Sequence, residues 1–285
     1  MFIKPLDYYQ AGSIEEAIDL LSSKEGKTSL VAGGTDLMVD MKKGFYQPDN
    51  VIDIKGIAEL AKIELTDKGL FLGATVTCNQ VIESEVVQEN YPLLVAAARR
   101  IASHQIRNRA TLVGNLCTAS PGADSAPSLL VLGTTVLVQG PEGKREIRLE
   151  EFFTGVKKNA LEQGEIVTGL LVDRHAADGR GQYMKKARIK GPDLSAAGVA
   201  GFLSKEEGIL RFAFGALAPT PKLLDASSLF FAEGDFAAKK ESLLQLVDET
   251  INPITDVRST REYRMRVAKI YTERILNQLW KEGEM

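Results

Sequence analysis

The chain has little with which to do chemistry unaided. Its 285 residues include two cysteines, Cys78 and Cys117, and two histidines, His104 and His175. The cysteines lie far apart with no CxxC spacing, and they read as unpaired thiols in a reducing compartment. An iron–sulfur cluster takes about four thiolates, so this chain cannot hold one alone. Neither histidine has a second ligand at metal spacing, which argues against a zinc or di-iron site. No apolar run is long enough to span a bilayer. The N-terminus, Met1-Phe2-Ile3-Lys4-Pro5-Leu6-Asp7, lacks the basic-then-apolar order of a signal peptide, so a cytoplasmic location is expected. Lysine and arginine number 35 against 38 aspartates and glutamates, a balance that disfavours a dedicated nucleic-acid binder. No nucleophile or acid–base constellation stands out, and no catalytic residue is assigned; His104 reads as a structural histidine. Redox chemistry here would have to come from a bound organic cofactor.

What the chain does have is two glycine-bearing turns after apolar runs. The first is Val31-Ala32-Gly33-Gly34-Thr35-Asp36. Glycines without Cβ atoms let a backbone approach a ligand closely, and consecutive amides before a helix suit phosphate oxygens. A plain strand-to-helix turn would look the same. The spacing is not that of a dinucleotide-binding Rossmann fingerprint, because no third glycine follows at the required offset and Asp36 comes too early to bind a ribose. The second segment runs from Thr111 through Gly114, Asn115, Thr118 and Ser120 to Asp124. Its short polar side chains between apolar elements call for hydrogen-bond partners. A polar ligand tail would supply them; a surface loop would find them in water.

Three units are expected, residues 1–57, 58–175 and 176–285. The first reads as an edge strand at Phe2–Pro5, a helix from a capping box at Ser13/Glu16, a strand at 28–32, a helix at 36–43 stopped by Gly44, and a strand at 51–54. The second reads as a hairpin turning at 66–69, a helix over 77–87, another opened by Pro92, a hairpin turning at 140–143 and a strand at 166–172. The polar stretch 173–182 marks the next boundary. Beyond it come an antiparallel pair at 196–203 and 209–217 and two helices. Arg261, Arg264, Arg266, Lys269 and Arg274 on the last helix read as a solvated face, with a partner-docking surface as the other option.

Both glycine segments, with their flanks, resemble the FAD motifs of the flavoprotein subunits of the xanthine dehydrogenase and carbon monoxide dehydrogenase family. Ala32-Gly33-Gly34-Thr35-Asp36-Leu37 is similar to the first motif, and Gln105 through Asn115 to Ser120, Pro121 and Asp124 to the second. Ser13–Leu21, Tyr183–Ala187 with Asp193, and Asp256, Arg258, Tyr263 and Arg264 extend the resemblance over nearly the whole chain. It implies an α+β architecture: a two-subdomain FAD-binding fold of the PCMH/vanillyl-alcohol-oxidase type, then a C-terminal domain with a small antiparallel sheet and helices. It implies that Val31, Ala32, Gly33, Gly34, Thr35 and Asp36 hold a diphosphate through backbone N–H groups. Thr111, Gly114, Asn115 and Thr118 would line the rest of the diphosphate and ribityl region, Asp124 would accept from the cofactor's polar chain, and Val167 and Lys185 would approach from the far side. Val113 stands where the family has a glycine, and its Cβ could push the second loop outward. The implied role is an FAD-carrying electron-transfer subunit of a molybdenum hydroxylase, with an iron–sulfur small subunit, a molybdopterin large subunit and NAD or a quinone as acceptor. The alternatives are a stand-alone FAD oxidoreductase and a flavin-free assembly or binding subunit.

Overall fold

The computed structural model describes residues 4–281, and within them every strand belongs to one of three small sheets or to a two-stranded ribbon. In the first sheet β1 (Asp7–Gln10), β2 (Thr28–Val31) and β3 (Asn50–Asp53) run parallel in the order β1-β3-β2. Of the expected edge strand, Phe2 and Ile3 lie outside the described residues, and Lys4 and Pro5 are not extended into the sheet; the edge forms at Asp7–Gln10. Helices α1 (Ile14–Ser23) and α2 (Leu37–Lys43) follow β1 and β2. The Ser13 oxygen accepts from the Glu16 amide at 3.1 Å, as a cap should. The return arm differs from the expected box: Glu16 accepts from the Gly12 amide, one residue before Ser13. Gly44 ends α2 at φ 74°, a left-handed stop.

The second sheet is antiparallel, with β4 (Ile63–Thr66), β5 (Gly69–Gly73), β6 (Thr135–Gly140), β7 (Gly143–Arg148) and, after the ribbon β8 (Phe153–Gly155) and β9 (Lys158–Asn159), β10 (Ile166–Asp173). Its order, β4-β5-β10-β6-β7, seats the last strand at the centre. The excursion between β5 and β6 carries α3 (Cys78–Glu83), α4 (Glu85–Asn90), α5 (Pro92–Ala98), α6 (His104–Arg107), α7 (Leu112–Cys117) and α8 (Ala126–Val131); α9 (Leu149–Phe152) follows β7. The single helix expected at 77–87 is two, because Ser84 turns extended (ψ 117°) and its carbonyl starts a fresh turn by accepting from Val87 and Gln88. The Thr77/Gln80 capping box forms in full.

The third sheet, β11 (Arg180–Lys186), β12 (Ala197–Ser204), β13 (Ile209–Gly215) and β14 (Lys222–Asp225), is antiparallel in sequence order. Helices α10 (Ser227–Phe231), α11 (Phe236–Thr250) and α12 (Arg261–Lys281) complete the chain. The middle strands are sandwiched: α12 packs on one side of β12, while α8 packs on β12 and β13. Ala200, Phe202 and Ala213 thereby join the core of the first two sheets, while Val199, Phe212, Phe214, Ile275 and Leu276 form a separate apolar cluster. The sequence reading placed Arg264 on a solvated face. It is instead 1 % exposed, donating to Asp256 Oδ1 at 2.5 Å and to the Ala216 carbonyl at 2.8 Å. Arg261, Arg266 and Arg274 are exposed. No described helix is long and apolar enough to cross a membrane.

Candidate functional site

Strand β2 delivers the first glycine turn, and α6–α7 deliver the second, to the same place. Gly33 shows how closely they meet. A Cβ on Gly33 would lie 2.1 Å from the Arg109 carbonyl oxygen and 3.0 Å from the Ala110 Cα, so the two segments touch backbone to backbone. Gly34 follows at φ 71°, where side-chain-bearing residues are strained. The Thr118 hydroxyl reaches Asp36 Oδ2 at 3.1 Å and adds a side-chain tie.

Between the loops opens a cleft of about 1120 Å³. Typical small-molecule pockets hold roughly 300–1,000 Å³, so this one suits a long ligand. Val31 through Asp36, Thr111, Gly114, Asn115, Thr118, Asp124 and Val167 all line it. Among the described residues, the N–H groups of Ala32, Gly33, Gly34, Thr35 and Asp36 have no acceptor within the chain. These residues are half-buried to exposed, so their donors are open to water or to whatever enters the cleft. The Asn115 side chain accepts from Ser125 Oγ at 2.7 Å, while its Nδ2 has no partner among the described residues. Thr111 caps α7 by accepting from the Gly114 amide at 2.9 Å.

Val113 does not push the loop outward. It lies within α7, 5 % exposed, with its side chain in the main core cluster.

Asp124 and Lys185 are arranged differently from the rest. Lys185 does not line the cleft; its ammonium sits behind it, 2.7 Å from Asp124 Oδ2, and also donates to the Arg100 carbonyl. Asp124 Oδ1 accepts from Ser195 Oγ at 2.6 Å and from Tyr183 Oη at 3.1 Å. Burial pushes the Tyr183 phenol well above its usual range, with the Asp124 charge adding to the effect, so it stays a neutral donor. All three donors come from the third unit. The Asp124 carboxylate therefore ties that unit to the second loop, and its capacity for a ligand is largely taken.

The titratable groups nearby are quiet. Burial pushes the Cys117 thiol, which lines the cleft, up to about 12, and does the same to Cys78, so neither is a thiolate near neutral pH. Glu165 and Asp193, both in the cleft wall, are held by Arg145 at 2.6 Å and Arg188 at 3.3 Å. His104 is a neighbour of Asn79, whose amide nitrogen lies 3.3 Å from its Nδ1, and it does not line the cleft.

The sequence reading missed other parts of the wall, among them Ile101 and Ala102, Lys157, Asn159, Leu161 through Glu165, and Pro192 and Leu194. Ala102 and Lys157 have positive φ without being glycine, and that leaves no trace in residue type.

Two known families match successive parts of the chain. Residues 4–172 match the model described as "FAD binding domain in molybdopterin dehydrogenase", and residues 182–279 match "CO dehydrogenase flavoprotein C-terminal domain". The chain is 30 % identical to the xanthine dehydrogenase FAD-binding subunit of Escherichia coli O157:H7, over 95 % of this chain and 94 % of that one. It is 31 % identical to the carbon monoxide dehydrogenase medium chain of Hydrogenophaga pseudoflava, over 96 % of each. A solved structure of carbon monoxide dehydrogenase from the same organism superposes with a TM-score of 0.91 at 30 % identity, covering 99 % of both chains.

Proposed function

The chain belongs to the FAD-binding subunits of the xanthine and carbon monoxide dehydrogenase type, and on that premise we propose that it is the electron-transfer subunit of a molybdenum hydroxylase. It is thus an FAD-dependent oxidoreductase subunit. The cleft fits the cofactor on its own terms. A run of free amides beside two glycines offers uncharged donors to a diphosphate, and a cleft of about 1120 Å³ has the volume for a dinucleotide.

In this proposal Val31 through Asp36 hold the diphosphate through their backbone. Thr111, Gly114, Asn115 and Thr118 line its continuation, and Val167 packs on the far side. Asp124 in the wall and Lys185 behind it hold the second loop in register. FAD, when bound there, exchanges electrons one or two at a time. Those electrons would arrive from iron–sulfur clusters on a small subunit, after substrate oxidation at molybdopterin on a large subunit, and leave to an acceptor such as NAD or a quinone.

The observation that carries the relay reading is the state of the cleft's acids. Of the six acids that line the cleft, Asp124, Glu165 and Asp193 are each paired closely with a cation, Asp40 weakly with Lys157 and Asp36 with the Thr118 hydroxyl. That leaves Glu162 as the lining acid without a side-chain partner among the described residues, and burial keeps both cysteines as thiols. A stand-alone oxidase would need free acid–base groups converging on its substrate. The test is anaerobic mixing of the flavin-loaded chain with a reduced iron–sulfur small subunit. Bleaching of the flavin absorbance is expected, and no bleaching from substrate with the isolated chain. Turnover of a substrate by the isolated chain would defeat the relay.

A further inference from the structure

A diphosphate brings negative charge into a cleft whose charged wall residues are mostly acidic. Among the described residues lining it, Lys24 and Lys157 are the cations. Lys24 is engaged elsewhere, its ammonium 4.2 Å from the Tyr9 ring centre. Lys157 sits in the tight turn between β8 and β9, and its geometry is unusual in two respects.

Its backbone has φ 54° although it is not glycine, a conformation that costs roughly 1–2 kcal/mol for an L-residue. Glycine would fill that turn without cost, so the lysine side chain is retained against strain. Such strain tends to gather at ligand clamps. The turn is also pinned to the second loop, because the Lys157 amide donates to the Ala119 carbonyl at 2.9 Å. From there the ammonium reaches toward the first segment, 3.6 Å from Asp40 Oδ2 on α2. Asp40 lies one helical turn beyond Asp36, which Thr118 ties to the second loop. Lys157 thus bridges from the second loop toward α2 and lines the same cleft as the unpartnered amides. At that length, with Lys157 62 % exposed, its pair with Asp40 is a weak one.

Resting on the FAD reading above, we infer that Lys157 is the cofactor's diphosphate counter-ion, and that Asp40 holds it in place until the diphosphate takes it over. The amides supply direction and the ammonium supplies charge. An ammonium on a flexible stem can change partners within the cleft without any backbone movement.

The test titrates the apo chain with FAD, ADP and adenosine at low and high salt, following flavin fluorescence or heat. Lys157→Gly removes the charge and relieves the strained φ, so its melting temperature should hold or rise. Loss of one charge-assisted contact should weaken FAD and ADP about tenfold and flatten the salt dependence. Adenosine, lacking phosphate, should bind both proteins alike. Lys157→Arg should restore most of the affinity, and Asp40→Asn, which removes the competing carboxylate, should bind FAD at least as tightly as wild type. Equal FAD affinity and salt dependence in wild type and Lys157→Gly would overturn the assignment while leaving the FAD reading intact. So would a weakening shared by adenosine, or a lower melting temperature as the only change. A wild-type chain that takes up no FAD would overturn both.

Discussion

Gly33→Ala is expected to strip the purified chain of flavin while leaving it folded. The added methyl would sit 2.1 Å from the Arg109 carbonyl oxygen and 2.8 Å from its carbon, both backbone atoms that cannot rotate aside. The loops must separate, and overpacking of this kind costs about 1–3 kcal/mol. The same separation moves the Ala32–Asp36 amides off their common target. At about 1.4 kcal/mol per tenfold, flavin affinity should fall by up to two orders of magnitude. Gly34 differs although it is the neighbouring glycine. A Cβ there meets the Val31 side chain at 3.2 Å, so the obstacle is chiefly φ 71°. Gly34→Ala should therefore be the milder change, and Gly34→Val, branched at a positive φ, should approach Gly33→Ala. Flavin per chain by absorbance, with circular dichroism as the folding control, decides the order. Gly33→Ala with a full flavin complement would show that the loops do not interlock as described.

The second large effect belongs to Asp256. Its Oδ1 takes Arg264 at 2.5 Å, and its Oδ2 takes Arg258 at 2.5 Å and 3.0 Å. Arg264 is buried, so Asp256→Asn leaves a cation in the protein interior without its counter-charge. Breaking a buried pair from one side costs about 3–5 kcal/mol. A lower urea midpoint is expected, and Arg264→Met in the same chain should recover part of the loss, since the stranded charge is then gone. Additive losses in the double variant would contradict this account. The Arg258 hydrogen bonds, with Arg264 adding to them, hold the Asp256 carboxyl far below the usual carboxylate range. A depressed folded-state value contributes stability above the unfolded value of about 3.9. The gap between wild type and Asp256→Asn should thus stay constant above about pH 4 and shrink in stronger acid. The consequence extends to the cleft, because Arg258 also donates to the Ser195 carbonyl at 3.1 Å, and Ser195 holds Asp124.

Local signals in the sequence were legible where one residue type has one use. Ser13, Thr77, Pro92 and Gly44 marked helix ends, and the 66–69 and 140–143 turns marked hairpins. The two glycine segments were legible as a pair only through resemblance, since either alone could be an ordinary turn. Pairing across the fold was not legible. Strands β11 and β14 carry no clear alternation of apolar and polar residues, because both of their faces are partly covered. Arg264 looked solvated because arginine on a helix usually is; its counter-charge at Asp256 becomes visible only once the chain preceding α12 folds back on it. Gly33 was read as a glycine for a ligand's approach, whereas the added-Cβ geometry shows it facing the other loop's backbone. Lys157 had no signal at all, since a lysine between a valine and a lysine looks like any surface turn.

The central claim is that the cleft between the two glycine loops holds FAD through the amides of the first. Hydrogen–deuterium exchange of the apo and FAD-saturated chain tests it most directly. The account predicts that Ala32 through Asp36 exchange freely in the apo chain and become protected with FAD, with smaller protection across 111–124. FAD binding that leaves the Ala32–Asp36 amides exchanging as before would contradict it.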